Sequence, residues 1–238
     1  MEKKQNLLDL DFEALKNFLT KKIYNLKKEI IQTSANANKY NKLIFTEEVK
    51  KNTITLTGNI LVNEDLIFEN PVIIKKGTIF SIEANKNIIF KNKVIAKGSA
   101  SAPIIFKKNN LQNAAESWGT VALLGKKSAD SILDHVMLSG GSGSRHNQFL
   151  FSSMLSIHNT SNVQITNIDL SKNKKFDDVL HIVYCNDLLL ENIRISNAFS
   201  DAIDIDVSKN IIIKNIQIES PVNDGLDFME TTAVLHNV

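Results

Sequence analysis

Short motifs near the C-terminus recur at a constant interval. Residues 178–181 (Asp-Val-Leu-His), 201–204 (Asp-Ala-Ile-Asp) and 224–227 (Asp-Gly-Leu-Asp) begin 23 residues apart. A repeat of this length is too short to bury a core alone, so successive copies must stack on one another. Runs of Ile, Val, Leu and Phe from about residue 42 onward predict strands of about four or five residues within each copy. We therefore predict an all-β fold, a parallel β-helix in which each repeat forms one coil.

A second series of motifs places a turn at a fixed point of each coil. Residues 167–170 (Asn-Ile-Asp-Leu), 192–195 (Asn-Ile-Arg-Ile) and 215–218 (Asn-Ile-Gln-Ile) follow one another at steps of 25 and 23 residues. We expect each asparagine to occupy a turn and its amide to bond backbone groups of the adjacent coil, which gives an asparagine ladder. A leucine-rich repeat is the main alternative, but its periodic leucine consensus is missing, and no helical segments separate the strands.

The first segment of the chain has a different pattern. Apolar residues between Leu8 and Ile30 recur at steps of three or four, which predicts an amphipathic α-helix. The predicted domains are therefore residues 1–41, an N-terminal helix and linker, and residues 42–238, the β-helix. The helix is expected to cover the end of the β-helix core, with a coiled-coil or partner helix and a membrane-surface helix as alternatives. The last repeat stops in mid-strand, so we expect the natural protein to continue, or a partner to cover an open C-terminal end.

Charge is distributed unevenly along the chain. Residues 177–238 contain three basic and eleven acidic residues, a balance of −8, whereas residues 1–176 contain 25 basic and 15 acidic residues, a balance of +10. An acidic end repels phosphates, so we expect no nucleic-acid partner. No apolar run reaches the roughly 18–20 residues that span a bilayer, and no secretory signal is visible at the start. The single cysteine, Cys185, predicts a small core residue.

The order of several segments resembles a known group of proteins. The segments are residues 72–78, 94–99, 102–106, 117–121, 131–136 and 140–141, followed by the aspartate motifs. This order resembles the pectin-lyase-like right-handed β-helix domains of exported bacterial proteins, especially those attached to kinase-like modules of the spore-coat protein H type. The resemblance covers roughly residues 50–238. It implies a right-handed β-helix, an exported location (cell surface, periplasm or extracellular) and a polysaccharide or cell-surface glycan as partner.

Alternation along one strand predicts an acidic outer surface. If Ile203 and Ile205 point inward, Asp204 and Asp206 point outward on the same face. The next coil then brings Asp227 beside Asp204, at about 4.8 Å between neighbouring strands. The same position one coil earlier is histidine, and a glutamate lies near the far edge. The predicted binding surface consists of His181, Asp204, Asp206, Asp227 and Glu230.

Stacked carboxylates repel one another, so such a surface requires an offsetting interaction. Calcium binds several carboxylate oxygens and tolerates irregular geometry, which predicts a calcium site at Asp204, Asp206 and Asp227. The aspartates that open the three motifs are instead expected to accept backbone N–H bonds as a structural turn ladder. These residues are Asp178, Asp201 and Asp224.

Three functions remain open from the sequence. The first is a binding module that recognises a polysaccharide or cell-surface polymer through the outward aspartates, with calcium. The second is a carbohydrate-active enzyme, a hydrolase or lyase, with Asp204, Asp206 and Asp227 as catalytic candidates. No polygalacturonase-type His-Gly or Arg-x-Lys motif is present, so no catalytic set is recognisable. The third is a structural or assembly module of a larger protein.

Two further features carry local predictions. Residues 140–144 (Gly-Gly-Ser-Gly-Ser) predict a flexible insertion, with Arg145 and His146 at a loop tip. Trp118 is expected to pack over a corner of a coil, with a sugar-stacking surface as the alternative.

Overall fold

A computed structural model describes residues 52–109 and 115–238. The chain divides into residues 1–51 and 52–238, and the predicted N-terminal helix lies outside the described residues. In the part that the structure describes, no helix is both long and apolar enough to cross a membrane. The described strands are, in chain order, β1 Ile54–Leu56, β2 Asn59–Val62, β3 Leu66–Phe68, β4 Val72–Ile74, β5 Ile79–Ile82, β6 Ile88–Phe90, β7 Val94–Lys97, β8 Ile104–Lys108, β9 Val121–Leu124, β10 Ile132–Ser139, β11 Ser144–His146, β12 Phe149–Phe151, β13 Ser153–His158, β14 Gln164–Ser171, β15 Asp178–Val183, β16 Asn186–Ser196, β17 Ile203–Asp206, β18 Lys209–Glu219, β19 Leu226–Met229 and β20 Ala233–His236.

The strands form three walls that the chain visits in turn. The first wall contains β1, β4, β7, the first halves of β10, β14, β16 and β18, and then β20. The second wall contains β2, β5, β8 and the second halves of the same long strands. The third wall runs β3, β6, β9, β13, β15, β17, β19. Neighbouring strands within each wall pair in parallel, so the described chain is a parallel β-helix, as the repeat predicts.

The corner between the first and second walls is made by residues with positive φ. Asn167, Asn192 and Asn215 have φ of 54°, 54° and 53°, a conformation that asparagine tolerates better than most residues. Asn192 Nδ2 donates to Asn167 Oδ1 at 3.0 Å, and Asn215 Nδ2 donates to Asn192 Oδ1 at 3.0 Å. The predicted ladder exists, but it runs from amide to amide and not to the backbone. The backbone groups are engaged in the two walls, and the side chains stack outside the corner at the coil spacing.

The interior is one continuous apolar core. It extends from Val62 to Ile216 and includes the inward residues of all three walls. Phe80 and Phe106 stack at 4.5 Å between ring centroids across one coil step. Cys185 is fully buried and its Sγ donates to the carbonyl of Ile157 at 3.3 Å, so it is a core residue as predicted. Burial raises the pKa of this thiol to about 11.

The glycine-rich stretch at residues 140–144 is packed, contrary to the predicted flexible insertion. A Cβ on Gly141 would lie 2.6 Å from Met154 and from Trp118, and a Cβ on Gly143 would lie 2.5 Å from the carbonyl of Phe151. Glycine is required here because neighbouring groups approach the backbone closely. Trp118 is fully buried and its Nε1 donates to the carbonyl of Ser139 at 2.9 Å. It therefore packs inside the protein, and the sugar-stacking alternative for this residue is wrong.

The segment predicted as a loop tip is an antiparallel hairpin, β11–β12, that lies against the outside of the third wall. Arg145 and His146 lie in β11, paired with β12. Phe151 at the end of β12 packs on the outward-facing Ile89, Ala122 and Leu124. The hairpin thus covers the early coils of the third wall and leaves the outer face of the later coils uncovered by it.

Candidate functional site

The outer face of the third wall carries titratable side chains on its later coils. In β17, Ile203 and Ile205 are buried and alternate with partly exposed Asp204 and Asp206. The period of two along a strand places both carboxylates on the outside. The backbone pairing sets Asp204 between His181 of β15 and the aspartate at position 227 of β19.

Three of these side chains converge, and we call them the His181 group: His181, Asp204 and Asp206. Nε2 of His181 lies 3.7 Å from Oδ2 of Asp204 and 3.6 Å from Oδ2 of Asp206. One potential ligand atom from each lies within 4.8 Å of the others. Asp227 is in register with Asp204 but outside this group. Glu230 is exposed at the corner after β19, with φ of 49°.

A second carboxylate group lies where the strands of the same wall begin. Asp177, Asp178 and Asp201 bring one oxygen each within 4.8 Å of the others. Oδ1 of Asp201 accepts the backbone N–H of Asp224 at 2.7 Å and the side-chain amide of Asn223 at 2.9 Å. These bonds tie one coil to the next.

Ser152 connects the two groups. Its Oγ donates to Oδ2 of Asp178 at 2.7 Å and lies 3.0 Å from Nδ1 of His181. A serine hydroxyl has one hydrogen, so Nδ1 of His181 is the donor in the second bond. Nε2 of His181 and Oδ1 of Asp178 are buried without hydrogen-bond partners.

The electrostatics of the site follow from burial first and from neighbouring charges second. Burial raises the pKa of Asp178 to about 7, with further increases from Asp204, Asp177 and Asp201, against which the bond from Ser152 acts. Burial likewise raises the pKa of Asp204 to about 7, helped by the charges of Asp206 and Asp227. The two carboxyls therefore hold protons far above the usual range of aspartate.

The pKa values of the two histidines at the site are lowered, whereas those of the carboxyls are raised. Burial lowers the pKa of His181, against the attraction of the Asp206 charge. Burial and the neighbouring His181 lower the pKa of His158 to about 3. The His158 ring lies between Phe151 and His181, at 5.2 Å and 5.0 Å between centroids. Both rings are favoured in their neutral forms at ordinary pH.

Sequence reasoning did not single out Ser152, His158 or Asp177 as site residues. Ser152 lies between the hairpin and β13, outside the 23-residue repeat, and no signal in the sequence indicates its position. His158 pairs with Val183, and its neighbours in the wall are apolar or aspartate, so the repeat does not reveal it. Asp177 directly precedes the repeated motif, and the Asp-Asp pair at 177–178 was a usable signal.

Two exposed aromatic residues lie next to the strands of the site in the sequence. Tyr184 directly follows β15 and is 62% exposed, and its backbone N–H bonds the carbonyl of Asp206 at 3.2 Å. Phe199 precedes Asp201 by two residues and is 52% exposed. The chain thus carries exposed aromatic residues just after β15 and just before β17, the two strands that hold the carboxylates and the imidazole.

Comparisons with known proteins add little to this geometry. No family model matches the chain, and no curated protein matches it either. Among solved structures, one match is QnrB1, a plasmid-mediated fluoroquinolone resistance protein, with 12% sequence identity over 76% of this chain and 92% of that chain, at a TM-score of 0.20. The β-helix and the site therefore stand on the strand pairing and side-chain contacts of the chain itself.

Proposed function

We propose that this chain binds a polysaccharide through the outer face of the third wall, between β15 and β19. The observation that carries the proposal is the combination of the His181 group with exposed aromatic rings, Tyr184 and Phe199, at the two ends of its strands. Carboxylates accept charge-assisted hydrogen bonds from sugar hydroxyls. Aromatic rings offer a rigid apolar surface for the faces of sugar rings.

The shape of the wall supports a polymer as ligand. Parallel strands repeat polar groups about every 4.8 Å along the helix axis, a spacing comparable to the length of a sugar unit. His181, Asp204 and Asp227 occupy equivalent positions on three successive strands. A ligand with its own repeat therefore meets similar groups at successive coils.

The sequence resemblance supports the same proposal. The segments between residues 72 and 141 and the aspartate motifs resemble pectin-lyase-like domains of exported bacterial proteins. We accordingly propose that the chain acts outside the cytoplasm, on a cell-surface or extracellular glycan.

Hydrolysis or elimination is a second candidate function, favoured by one specific observation. Asp178 and Asp204 have pKa values of about 7, so each is available as a proton donor near neutral pH. Glycoside hydrolysis uses a protonated carboxyl as general acid beside an ionised partner. Among the neighbouring charges, those of Asp206 and Asp227 raise the pKa of Asp204 most, so these two carboxylates are the candidate partners.

The test is glycan binding by the folded chain, measured on an array of polysaccharides and then by calorimetry. We expect Asp204→Asn/Asp206→Asn to weaken binding at least tenfold, and Tyr184→Ala to weaken it by a smaller factor. Glu191→Gln on the first wall is the control and should leave affinity unchanged. Release of reducing ends or of unsaturated uronate would favour the enzyme. If the wild type binds no glycan, the proposal is wrong.

A further inference from the structure

We infer that the His181 group is a binding site for a first-row transition-metal ion such as Zn²⁺, with Nε2 of His181 as a nitrogen ligand and the carboxylates of Asp204 and Asp206 as oxygen ligands. The inference rests on the proposed function for its role, since it assigns a metal to the same glycan-binding surface. Metal binding itself is measured without any sugar.

The first step is the tautomer of His181. The single hydroxyl hydrogen of Ser152 is used in the 2.7 Å bond to Asp178, so the 3.0 Å contact requires a proton on Nδ1 of His181. In the neutral ring, Nε2 then carries a lone pair. Metal-binding histidines are commonly fixed in this manner, by a hydrogen bond from the ring nitrogen that does not bind the ion.

The second step is what Nε2 faces. It has no hydrogen-bond partner, and the carboxylate oxygens of Asp204 and Asp206 lie 3.7 and 3.6 Å away, beyond hydrogen-bond length. A lone pair facing two ionised carboxylates is repulsive, and a cation bound between them removes that repulsion. Two ligand atoms about 2.1 Å from a tetrahedral zinc ion are roughly 3.4 Å apart, close to both distances.

The third step is an independent buried group beside the site. Asp178 is only 2% exposed, and its Oδ1 has no partner although the side chain lies among carboxylates. Its other oxygen is connected through Ser152 to the His181 ring. A carboxylate that orients a ligand histidine increases the basicity of that ligand. The buried position of Asp178 is therefore explained if His181 binds an ion, because Asp178 then orients the ligand histidine through Ser152.

The donor set favours a transition metal over the calcium predicted from the sequence. Calcium takes six to eight oxygen ligands and seldom nitrogen, whereas zinc and its neighbours bind imidazole readily. Asp227, one of the three residues predicted for calcium, lies outside the group that converges. Three protein ligands leave a coordination position open, and a sugar hydroxyl is a suitable occupant.

The test is calorimetric titration of metal-stripped protein with Zn²⁺, Mn²⁺ and Ca²⁺ separately, in the absence of sugar. We expect one Zn²⁺ per chain and affinity for Ca²⁺ at least 100-fold lower. His181→Gln should reduce zinc affinity at least 100-fold. His146→Gln is the matched control, because His146 also lies near a carboxylate, Asp65 at 3.3 Å, but on another part of the fold.

A spectroscopic readout identifies the ligand directly. Electron paramagnetic resonance of bound Cu²⁺ should show nitrogen hyperfine coupling from one imidazole, lost in His181→Gln and kept in His146→Gln. If His181→Gln does not fold by circular dichroism, Asp206→Asn takes its place and should lower zinc affinity at least tenfold. Failure of the folded wild type to bind Zn²⁺, or equal affinity for Ca²⁺, would overturn the inference.

The two proposals fail in distinguishable ways. Zinc binding in a chain that binds no polysaccharide supports the metal site and overturns the proposed function. Polysaccharide binding in a chain that binds no Zn²⁺ supports the proposed function and overturns the metal site.

Discussion

Asp178 shows how a single buried carboxyl makes stability depend on pH. Its pKa is about 7 in the folded chain, whereas an unfolded aspartate ionises near 3.9. Between these values the unfolded state releases the proton and the folded state keeps it. Raising the pH from about 4 to 7 therefore progressively lowers the free energy of unfolding, and the loss is complete above pH 7.

Asp178→Asn should remove the Asp178 contribution to this pH dependence in metal-free protein and leave that of Asp204, whose pKa is also about 7. The amide retains an acceptor for Ser152 and supplies N–H donors beside Asp177 and Asp201, while it carries no ionisable proton. We expect the free energy of unfolding at pH 8 to rise by roughly 2 kcal/mol, less than the full shift converts to, because the folded state relaxes around the charge. Urea denaturation between pH 4 and 8, with chelator present, measures the change.

The control for this substitution is Asp169→Asn, an exposed carboxylate on the second wall that lies 3.6 Å from Arg194. It should change stability by less than about 0.5 kcal/mol over the same pH range. A variant Asp178→Asn that is less stable than wild type at pH 8, or one with an unchanged slope, would contradict the explanation by burial.

The corners between walls depend on both backbone conformation and side-chain pairing. Asn192 has φ of 54°, donates to Asn167 and accepts from Asn215, each at 3.0 Å. Because the ladder is exposed, each of its hydrogen bonds contributes modestly. The left-handed conformation adds a cost for any residue that tolerates it less well than asparagine or glycine.

Two substitutions at Asn192 separate these contributions. Asn192→Ala loses the ladder bonds and places a Cβ in the left-handed region, so we expect a destabilisation of about 1–3 kcal/mol. Asn192→Gly loses the same bonds without that strain and should be less destabilised. Urea midpoints of both variants, with Gln217→Ala as a control in the adjacent strand, measure the difference. Equal losses for alanine and glycine would show that the positive φ carries no cost here.

The repeating elements could be predicted from the sequence because every coil must satisfy the same geometry. The 23-residue interval aligns His181, Asp204 and Asp227, and the alternation in β17 indicates which residues face outward. The irregular parts could not be predicted in this manner. The hairpin that covers the early coils interrupts the repeat, and the position of Ser152 depends on how that hairpin folds back.

The ladder partners and the packed glycines show a second limit. An amide at a corner has donors and acceptors within reach in both backbone and side chain, and only the three-dimensional arrangement decides between them. Gly141 and Gly143 have the composition of a flexible linker, yet neighbouring atoms leave no room for a Cβ. Glycine-rich composition is compatible both with a flexible linker and with close packing against the backbone, and only the three-dimensional structure shows which of the two occurs.

Charge and core are organised differently over the length of the chain. The charge balance changes from +10 over residues 1–176 to −8 over residues 177–238, so the later coils have a negative electrostatic potential. The apolar core shows no such division, since one cluster connects inward residues from Val62 to Ile216. Recognition is therefore expected at the later coils, whereas stability is expected to be shared among all of them.

A continuous core predicts that the described coils unfold together. Trp118 is the single tryptophan and is fully buried, so its fluorescence reports the middle of the β-helix, whereas circular dichroism reports every strand. Trp118 lies just before β9, and the buried Ile205 lies in β17, three strands beyond β9 on the third wall. Ile205→Ala removes buried methyl groups and should cost about 2–4 kcal/mol. We expect the urea midpoints of both signals to fall together.

Ile212→Ala is the matched control because Ile212 lies in the next strand of the chain but is 40% exposed on the outside of the first wall. It should cost less than about 1 kcal/mol, since less apolar surface is lost from a buried environment. Repeat proteins couple mainly through nearest neighbours, so weak coupling between coils would separate the two signals. In Ile205→Ala, the Trp118 fluorescence transition could stay at the wild-type midpoint while circular dichroism shows two steps. That result would mean that the later coils unfold as an independent unit. The site could then open without loss of the remaining fold.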